Sequence, residues 1–349
     1  MIKVLVADDS ALMRLMIKDI LESDPEIKVL DTARNGKDVV EKARKLHPDV
    51  ITLDVNMPEM DGLEALKIIE EENLGRVIML SSLTKEGAEI TLKALELGAF
   101  DFIPKPGGSI SVNLKDLSEE IIEKVKAAAK SKVSLKERDK TLIASPPRIN
   151  KESLFQSKEM KAVVIGISTG GPKNIMEVLP YIPSDINAAI FLVQHMPPAF
   201  TLQYAKRLNE NSKIKVVEAE DGMRVEPGVC YVGKGGYNLL LEGDKRDVRI
   251  KLTDYPKHRF MPSADVTMES VLTVFEEDTI GVLMTGMGSD GAEAMVKIRK
   301  AGGRTIAESE ETAVIFGMPK AAIEKGGAEF VLPNYEIPSK IIELAGLRK

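Results

Sequence analysis

Short apolar runs alternate with helical patterns twice along this chain, and this alternation restricts the fold more than any other feature. A run such as Ile2–Ala7 has the length and composition of a buried strand. The segments between the runs repeat apolar residues at a spacing of about 3.6, as amphipathic helices do. Alternating strands and helices predict an α/β fold with a mainly parallel, doubly wound sheet. In the first half the predicted strands are 2–7, 27–32, 49–53, 77–80 and 99–103.

A second alternation begins at Lys161, after a segment rich in Lys and Ser that contains adjacent prolines. We therefore predict one domain over residues 1–125, a linker over 126–158 and a second α/β domain over 159–349. The second domain is also expected to contain a β-hairpin from 239 to 252, turning around Glu242-Gly243-Asp244. Its other predicted strands include 162–165, 189–194, 213–217 and 279–284.

Composition excludes several classes of protein. The chain has 349 residues, 44% of them hydrophobic, and a formal net charge of −6. Both predicted domains are acidic and only the linker is basic, which argues against a nucleic-acid surface. The single cysteine, Cys230, rules out an internal disulfide and is predicted to be a thiol in a core strand. With no signal peptide or membrane-length apolar stretch, we expect a cytoplasmic protein without membrane insertion.

Polar residues follow the predicted strands of the first domain. Asp8 and Asp9 come after the first strand, Asp54 ends the third, Ser81 ends the fourth and Lys105 follows the fifth. The ends of parallel strands converge on one edge of a sheet, so these side chains should form a pocket. Crowded carboxylates favour a hard divalent cation, and a lysine with a hydroxyl can bind a phosphoryl group. Taken singly, each aspartate could instead cap the helix that follows it.

In this order the pocket residues resemble those of the receiver domain of two-component response regulators. The resemblance implies a flavodoxin-like domain in which Asp54 is the phospho-acceptor. It also implies that Asp8, Asp9 and Asp54 hold Mg²⁺, with the backbone carbonyl of Asn56 as a further ligand. Asp61, which precedes Gly62, is predicted to be a turn or N-cap residue rather than a ligand.

The resemblance also suggests how phosphorylation is transmitted. Ser81 matches the switch hydroxyl, with the neighbouring Ser82 as the alternative, and Phe102 matches the aromatic switch position. Lys105 would pair with the phosphoryl group. The expected phosphoryl donors are a chemotaxis histidine kinase or acetyl phosphate.

In the second domain a serine lies in the glycine-rich turn Gly166-Ile167-Ser168-Thr169-Gly170-Gly171, directly after an apolar run. Glycines around Ser168 allow unusual backbone angles and a close approach of ligand. Such a turn suits either a nucleophile or a phosphate-binding loop.

A serine nucleophile needs a base, and two further strand ends supply one candidate base and one carboxylate. His195 ends the run 189–194, and Asp290 lies in the glycine-rich turn after the run 279–284. The alternatives are that His195 is a structural histidine and that Asp290 caps the next helix. His258, in a loop, is the second candidate base or a substrate-cleft residue, whereas His47 is predicted to lie on the surface.

Together with Gln194-His195-Met196-Pro197 and the turn 286–291, these motifs resemble the catalytic domain of chemotaxis receptor methylesterases. The resemblance implies a Rossmann-like three-layer domain with protein-glutamate methylesterase activity on methyl-accepting chemotaxis receptors. It also implies protein-glutamine glutaminase activity on the same receptors. Ser168 would be the nucleophile, His195 the general base and acid, and Asp290 the orienting carboxylate. Backbone N–H groups of Thr169 and Met287 are the oxyanion-hole candidates, and the ester chemistry needs no cofactor.

Domain order adds a regulatory expectation, namely that an unphosphorylated receiver covers the catalytic cleft and that phosphorylation relieves this inhibition. Two other functions are weighed against this one. A DNA-binding output domain would need a basic recognition helix, which the acidic second half lacks. A nucleotide-binding domain could use the turn 166–171 as a phosphate-binding loop, but the turn has neither the G-x-G-x-x-G nor the G-x-x-x-x-G-K-S/T spacing.

Overall fold

The computed structural model describes residues 1–105, 114–131 and 159–348, and the side chains of 114–116 are not among the features described. The chain divides into two compact units, Met1–Leu135 and Lys136–Lys349. Most of the predicted linker, residues 132–158, lies outside the described residues. Its first part belongs to a helix that continues to Lys130, because Ala128 is still buried at the helical spacing set by Ile121 and Val125.

The first unit contains a five-stranded parallel sheet with the strand order β2-β1-β3-β4-β5. This order is that of flavodoxin-like folds, and it confirms the predicted class. Its strands are β1 (Ile2–Ala7), β2 (Ile27–Ala33), β3 (Val50–Asp54), β4 (Arg76–Ser81) and β5 (Asp101–Pro104). Its helices are α1 (Ala11–Glu22), α2 (Gly36–Leu46), α3 (Gly62–Glu72), α4 (Lys85–Glu96) and α5 (Leu114–Lys130).

The second unit contains a seven-stranded parallel sheet with the order β14-β13-β12-β6-β7-β9-β8, and a separate hairpin β10-β11. Its strands are β6 (Lys161–Ile167), β7 (Ala188–Gln194), β8 (Lys215–Glu218), β9 (Val229–Val232), β10 (Asn238–Asp244), β11 (Asp247–Thr253), β12 (Thr279–Leu283), β13 (Arg304–Glu308) and β14 (Phe330–Leu332). Its helices are α6 (Gly171–Asn174), α7 (Pro198–Asn211), α8 (Ala264–Phe275), α9 (Ala292–Lys300), α10 (Met318–Glu324) and α11 (Ile337–Ala345). Short 3₁₀ helices are Ile175–Glu177, Leu179–Tyr181 and Glu276–Asp278.

The order in which strands are added to this sheet changes sides at β6, since β7 pairs with one edge of β6 and β12 with the other. Open α/β sheets bind ligands at such a switch point, beyond the carboxyl ends of the strands. The three strands β12, β6 and β7 are buried along almost their whole length. The sheet therefore provides a rigid base for the loops that follow these strands.

The hairpin is present, but its turn lies two residues later than predicted. Asp244 pairs with Asp247, so Lys245 and Arg246 form a two-residue loop. The Asp244 carboxylate accepts a hydrogen bond from the Arg246 N–H at 2.8 Å, which is a typical aspartate turn. Gly243 instead lies within β10 at a φ of 100°, where a Cβ atom would meet the carbonyl of Asp247. The glycine marks a close approach of two strands rather than the turn itself.

Cys230 lies in β9 with no exposed surface, which confirms the predicted core thiol. Burial raises the pKa of this thiol well above its ordinary value. Within the described part of the chain, no helix combines the length and the apolar character that crossing a membrane requires.

Candidate catalytic site and acidic pocket

Three loops of the second unit meet at the carboxyl ends of neighbouring strands. Ser168 directly follows β6, His195 directly follows β7, and Asp290 lies in the loop after β12. Gly170, in the turn after Ser168, has a φ of 76°, a left-handed conformation that a glycine adopts without strain. The turn then leads into the short helix α6.

The structure brings the three predicted side chains into one hydrogen-bonded row. His195 Nδ1 lies 3.0 Å from Ser168 Oγ, and His195 Nε2 lies 2.7 Å from Asp290 Oδ2. The imidazole and the carboxylate are almost fully buried, at 7% and 4% exposure of their side chains. One neutral tautomer serves both bonds, because Nε2–H donates to Asp290 and leaves Nδ1 free to accept the Ser168 proton.

Asp290 is held by the beginning of a helix other than the one predicted. Its carboxylate accepts hydrogen bonds from Ser263 Oγ at 2.8 Å, Ala264 N at 2.7 Å and Asp265 N at 3.1 Å, all at the N-terminus of α8. Burial favours a higher pKa for Asp290, but the bonds from His195 and these N–H groups outweigh it and lower the pKa. The carboxylate is therefore ionised and fixed.

The alternative interpretation of Asp290 as the cap of the following helix is wrong. Gly291 occupies the N-cap position of α9, and the Asp290 carboxylate bonds to the start of α8 instead. The first turn of α9 is instead bonded by Asp265, whose Oδ1 accepts the Ala294 N–H at 2.8 Å. The starts of α8 and α9 thus each receive a carboxylate from the other segment.

The second candidate base, His258, does not contact Ser168 in the described structure. It is exposed, and its Nδ1 accepts a long hydrogen bond from Phe260 N at 3.3 Å within its own loop. Phe260 is the residue of this loop that reaches the site, with its ring stacked on His195 at 4.2 Å between centroids and 9° between planes. Sequence reasoning missed Phe260, since nothing in the spacing of the loop distinguishes this ring.

The two oxyanion-hole candidates lie in loops that meet at the serine: Thr169 follows Ser168, and Met287 follows Gly286, where an added Cβ atom would meet the Ser168 side chain. The Ser168 N–H donates to Thr285 O at 2.9 Å and is therefore occupied. Among the residues that the structure describes, the N–H groups of Thr169 and Met287 donate to no other group. They are thus free to bind a negative oxygen near Ser168.

The first unit forms an acidic pocket at the ends of β1 and β3. Asp8 and Asp54 are buried, Asp9 is exposed, and one oxygen from each lies within 4.8 Å of the others. Lys105 Nζ lies 2.9 Å from Asp8 Oδ2 and 2.8 Å from Asp54 Oδ1. Burial raises the pKa of Asp54, although Lys105 and the backbone N–H of Asn56 oppose that effect.

A divalent cation fits this donor set. Within the described residues, buried Asp54 Oδ2 has no hydrogen-bond partner, and Lys105 pairs with two of the three clustered carboxylates. Asp8, Asp9 and Asp54 offer the oxygen ligands that a hard cation prefers. Lys105 balances part of their negative charge.

The predicted switch residues Ser81 and Phe102 are both buried. Ser81 ends β4 and its Oγ lies 2.6 Å from Thr91 Oγ1, whereas Ser82 is only partly buried and its Oγ lies 3.2 Å from Thr84 Oγ1. Phe102 is 4% exposed.

Lys124, which sequence reasoning missed, secures Phe102. Its Nζ donates to Phe102 O at 2.6 Å and lies 5.2 Å from the centre of the Phe102 ring. It is also within 3.4 Å of Asp101 and 2.9 Å of Glu120, and these carboxylates outweigh burial and raise the pKa of Lys124.

The fold and the two sites define a class of protein in which a receiver-like unit is followed by a unit with a serine-hydrolase-like site. Comparison with known families agrees with both assignments, since residues 4–114 match the response regulator receiver domain and residues 163–341 match the CheB methylesterase family. The chain belongs to the CheB methylesterase family.

Whole-length relatives support this membership. A protein-glutamate methylesterase/protein-glutamine glutaminase of Syntrophomonas wolfei is 57% identical over 98% of this chain and 99% of its own length. The corresponding proteins of Pyrococcus horikoshii and Thermotoga maritima are 48% and 44% identical, each over 98% of this chain and over 93% and 98% of their own lengths. The crystal structure of the Thermotoga maritima CheB methylesterase catalytic domain superposes with a TM-score of 0.52 at 44% identity, covering 53% of this chain and 98% of that one.

Proposed function

We propose that this chain is a phosphorylation-regulated serine hydrolase that demethylates glutamate methyl esters on chemotaxis receptors and deamidates receptor glutamines. The observation that carries the proposal is the row Ser168–His195–Asp290, with bonds of 3.0 and 2.7 Å. The names of the whole-length relatives supply the substrate class. A histidine kinase of the chemotaxis system is the proposed phosphoryl donor, and the cytoplasm is the proposed compartment.

In the first half-reaction Ser168 Oγ attacks the ester carbonyl carbon while its proton passes to His195 Nδ1. The resulting oxyanion is bound by the N–H groups of Thr169 and Met287. The intermediate then expels methoxide, which leaves as methanol after taking the proton from His195. The product is an acyl-enzyme on Ser168.

In the second half-reaction His195 takes a proton from water, and the hydroxide attacks the acyl carbon. The bond to Ser168 Oγ breaks, the serine recovers its proton from His195, and the glutamic acid side chain is released and loses its remaining proton to solvent. A glutamine side chain follows the same path, with ammonia as the first leaving group. Throughout, ionised Asp290 stabilises the imidazolium that forms at His195.

In the first unit Asp54 is proposed to accept the phosphoryl group, and its free Oδ2 is the candidate nucleophilic oxygen. Asp8, Asp9, Asp54 and the Asn56 carbonyl would hold Mg²⁺, which neutralises phosphoryl charge when bound. Lys105 adds a fixed positive charge. Ser81, or alternatively Ser82, and Phe102 are the proposed switch residues, and His258 stays a candidate for the substrate cleft.

The decisive experiment measures methanol release from methylated receptor membranes by the Ser168→Ala variant. Loss of the nucleophile should lower turnover at least about 10³-fold. Ser289→Ala is the matched control, because Ser289 is exposed in the neighbouring loop after β12 and lies outside the hydrogen-bonded row. Equal turnover by the Ser168→Ala variant and the wild type would refute the proposed hydrolase.

A further inference from the structure

Gln194 carries a buried amide that contacts the backbone of Ser168 and of His195. It is the last residue of β7 and is 2% exposed. Its Nε2 donates to Ser168 O at 3.1 Å and to His195 O at 3.2 Å. A single side chain therefore ties the turn that carries the serine to the strand end that carries the imidazole.

The bond to Ser168 O determines more than the position of that oxygen. The carbonyl of Ser168 and the N–H of Thr169 belong to the same planar peptide unit, and in a trans peptide they point in opposite directions. When Gln194 and the Gly171 N–H, at 2.8 Å, hold the carbonyl on one side, the Thr169 N–H is directed to the other. A rotation of this peptide would remove that N–H from its place.

The neighbouring peptide units are anchored separately by Thr285. Its carbonyl accepts the Ser168 N–H at 2.9 Å, and its hydroxyl donates to Thr169 O at 2.9 Å. These bonds fix the chain before and after the Ser168–Thr169 peptide but do not bond to that peptide itself. Gln194 is the side chain that does so.

We propose that Gln194 is a positioning residue of the hydrolase, holding the Ser168–Thr169 peptide so that the Thr169 N–H faces the developing oxyanion. This proposal rests on the proposed function. An amide is suited to the task because its NH₂ group donates to two carbonyls at once. A carboxylate of the same shape would place an acceptor against both carbonyls.

The test compares Gln194→Met and Gln194→Glu with the wild type in the full-length chain. Met removes both donors and keeps the volume, and Glu adds repulsion. Since one oxyanion-hole donor is worth about 10²–10³ in kcat, partial misplacement should lower kcat roughly 10-fold for Met and about 100-fold for Glu. KM should stay unchanged, since the ground-state ester makes little use of the oxyanion donor.

Asn187→Asp is the control for loss of a buried amide as such. Asn187 precedes the other end of β7 and donates to Glu159 O at 2.9 Å, outside the row of reacting groups. The Asn187→Asp variant should have lower thermal stability than the wild type and an unchanged kcat. If it lowers kcat as much as the Gln194 variants do, the effect of Gln194 is general to the strand and the proposal fails.

A second readout separates this proposal from the identity of the substrate. A fluorophosphonate reacts with Ser168 by forming an Oγ–P bond and breaking the P–F bond, while the serine proton passes through His195 and leaves with fluoride. The negative phosphonyl oxygen uses the same donors as an ester oxyanion. Slower phosphonylation in both Gln194 variants is the expected result even on a preparation without receptors.

The two failures look different. If the wild type is phosphonylated at Ser168 but releases no methanol, the proposed substrate is wrong and Gln194 is still judged by its phosphonylation rate. If the Gln194 variants match the wild type in both kcat and phosphonylation, or if only KM rises, Gln194 does not position the peptide.

Discussion

His195 has an aromatic neighbour that holds its ring from the side not used for hydrogen bonding. The Phe260 ring lies almost parallel to the imidazole, and such contacts are worth about 0.5–1.5 kcal/mol beyond the area they bury. We expect Phe260→Ala to lower kcat about 2- to 10-fold, because the imidazole loses a restraint on its orientation. Phe260→Tyr should retain activity. Tyr255→Ala, at a ring that is 75% exposed, is the control, and an unaffected kcat in Phe260→Ala would count against the stacking role.

The ionised Asp290 makes a pH-dependent contribution to stability. Its pKa lies below the ordinary value of 3.8 in the folded chain, so the ionised form stabilises the fold above that pH. The contribution is lost as the pH falls through the folded pKa. The free energy of unfolding of Asp290→Asn should therefore be about 1–3 kcal/mol lower than that of the wild type at neutral pH. The difference should shrink below about pH 4. Urea titrations of both chains across this range measure it; a difference independent of pH would contradict the assigned shift.

At the scale of elements, the N-termini of α8 and α9 are each bonded by a carboxylate from the other segment. Asp265, in the first turn of α8, accepts from the first turn of α9, and Asp290, just before α9, accepts from the N-terminus of α8. This exchange joins the substrate-facing loops to two helices of the core.

Asp265→Ala should therefore lower the free energy of unfolding by about 1–2 kcal/mol, since the Ala294 N–H in the first turn of α9 loses its acceptor. The control is Glu269→Ala on the same helix, where an exposed pair with Lys297 at 2.6 Å contributes little. Thermal unfolding of both variants measures the two losses of stability, and the loss should be larger for Asp265→Ala. Equal stability of the two would show that the contact with α9 has no structural weight.

Sequence patterns predict elements where burial is continuous and fail where a contact comes from elsewhere in the chain. The predicted strands are present with ends shifted by a residue or two, and Asp61 is an N-cap as predicted, in a capping box with Glu64. The predicted position of the hairpin turn is wrong because Glu242-Gly243-Asp244 has the composition of a turn, whereas Gly243 pairs with Val248 inside the strands. Helix α5 continues to Lys130, beyond residue 125, where the first domain was predicted to end.

At the scale of the whole molecule, the domain pattern predicts that phosphorylation of the first unit activates the second. A coupling of about 1–3 kcal/mol corresponds to roughly 5- to 150-fold faster methanol release with acetyl phosphate and Mg²⁺. Asp54→Asn should abolish both the labelling and the activation, while Asp61→Asn, an exposed cap in the same loop region, should retain both. Labelling of the Asp54→Asn variant at the wild-type level would disprove the acceptor assignment.

The sequence also predicts which strand ends carry the site, because parallel sheets bring their carboxyl ends together regardless of the distance along the chain. It does not predict what supports the site. Ser263, Phe260 and Thr285 act through contacts between segments far apart in the chain, and their types and spacings are ordinary. The directions of the two imidazole nitrogens are likewise a result of three-dimensional packing.

The buried thiol of Cys230 gives this chain a built-in reporter of its own opening. Side chains of a strand project from the faces of the sheet, so a maleimide reaches this fully buried sulfur only after the elements packed over β9 have opened. Because the chain contains one cysteine, every alkylated molecule records that same event. The alkylation rate under native conditions then follows the population of this open state as long as closing is faster than the reagent. Comparing this rate with and without a bound inhibitor at Ser168 measures how strongly occupancy of the site restrains the packing around β9.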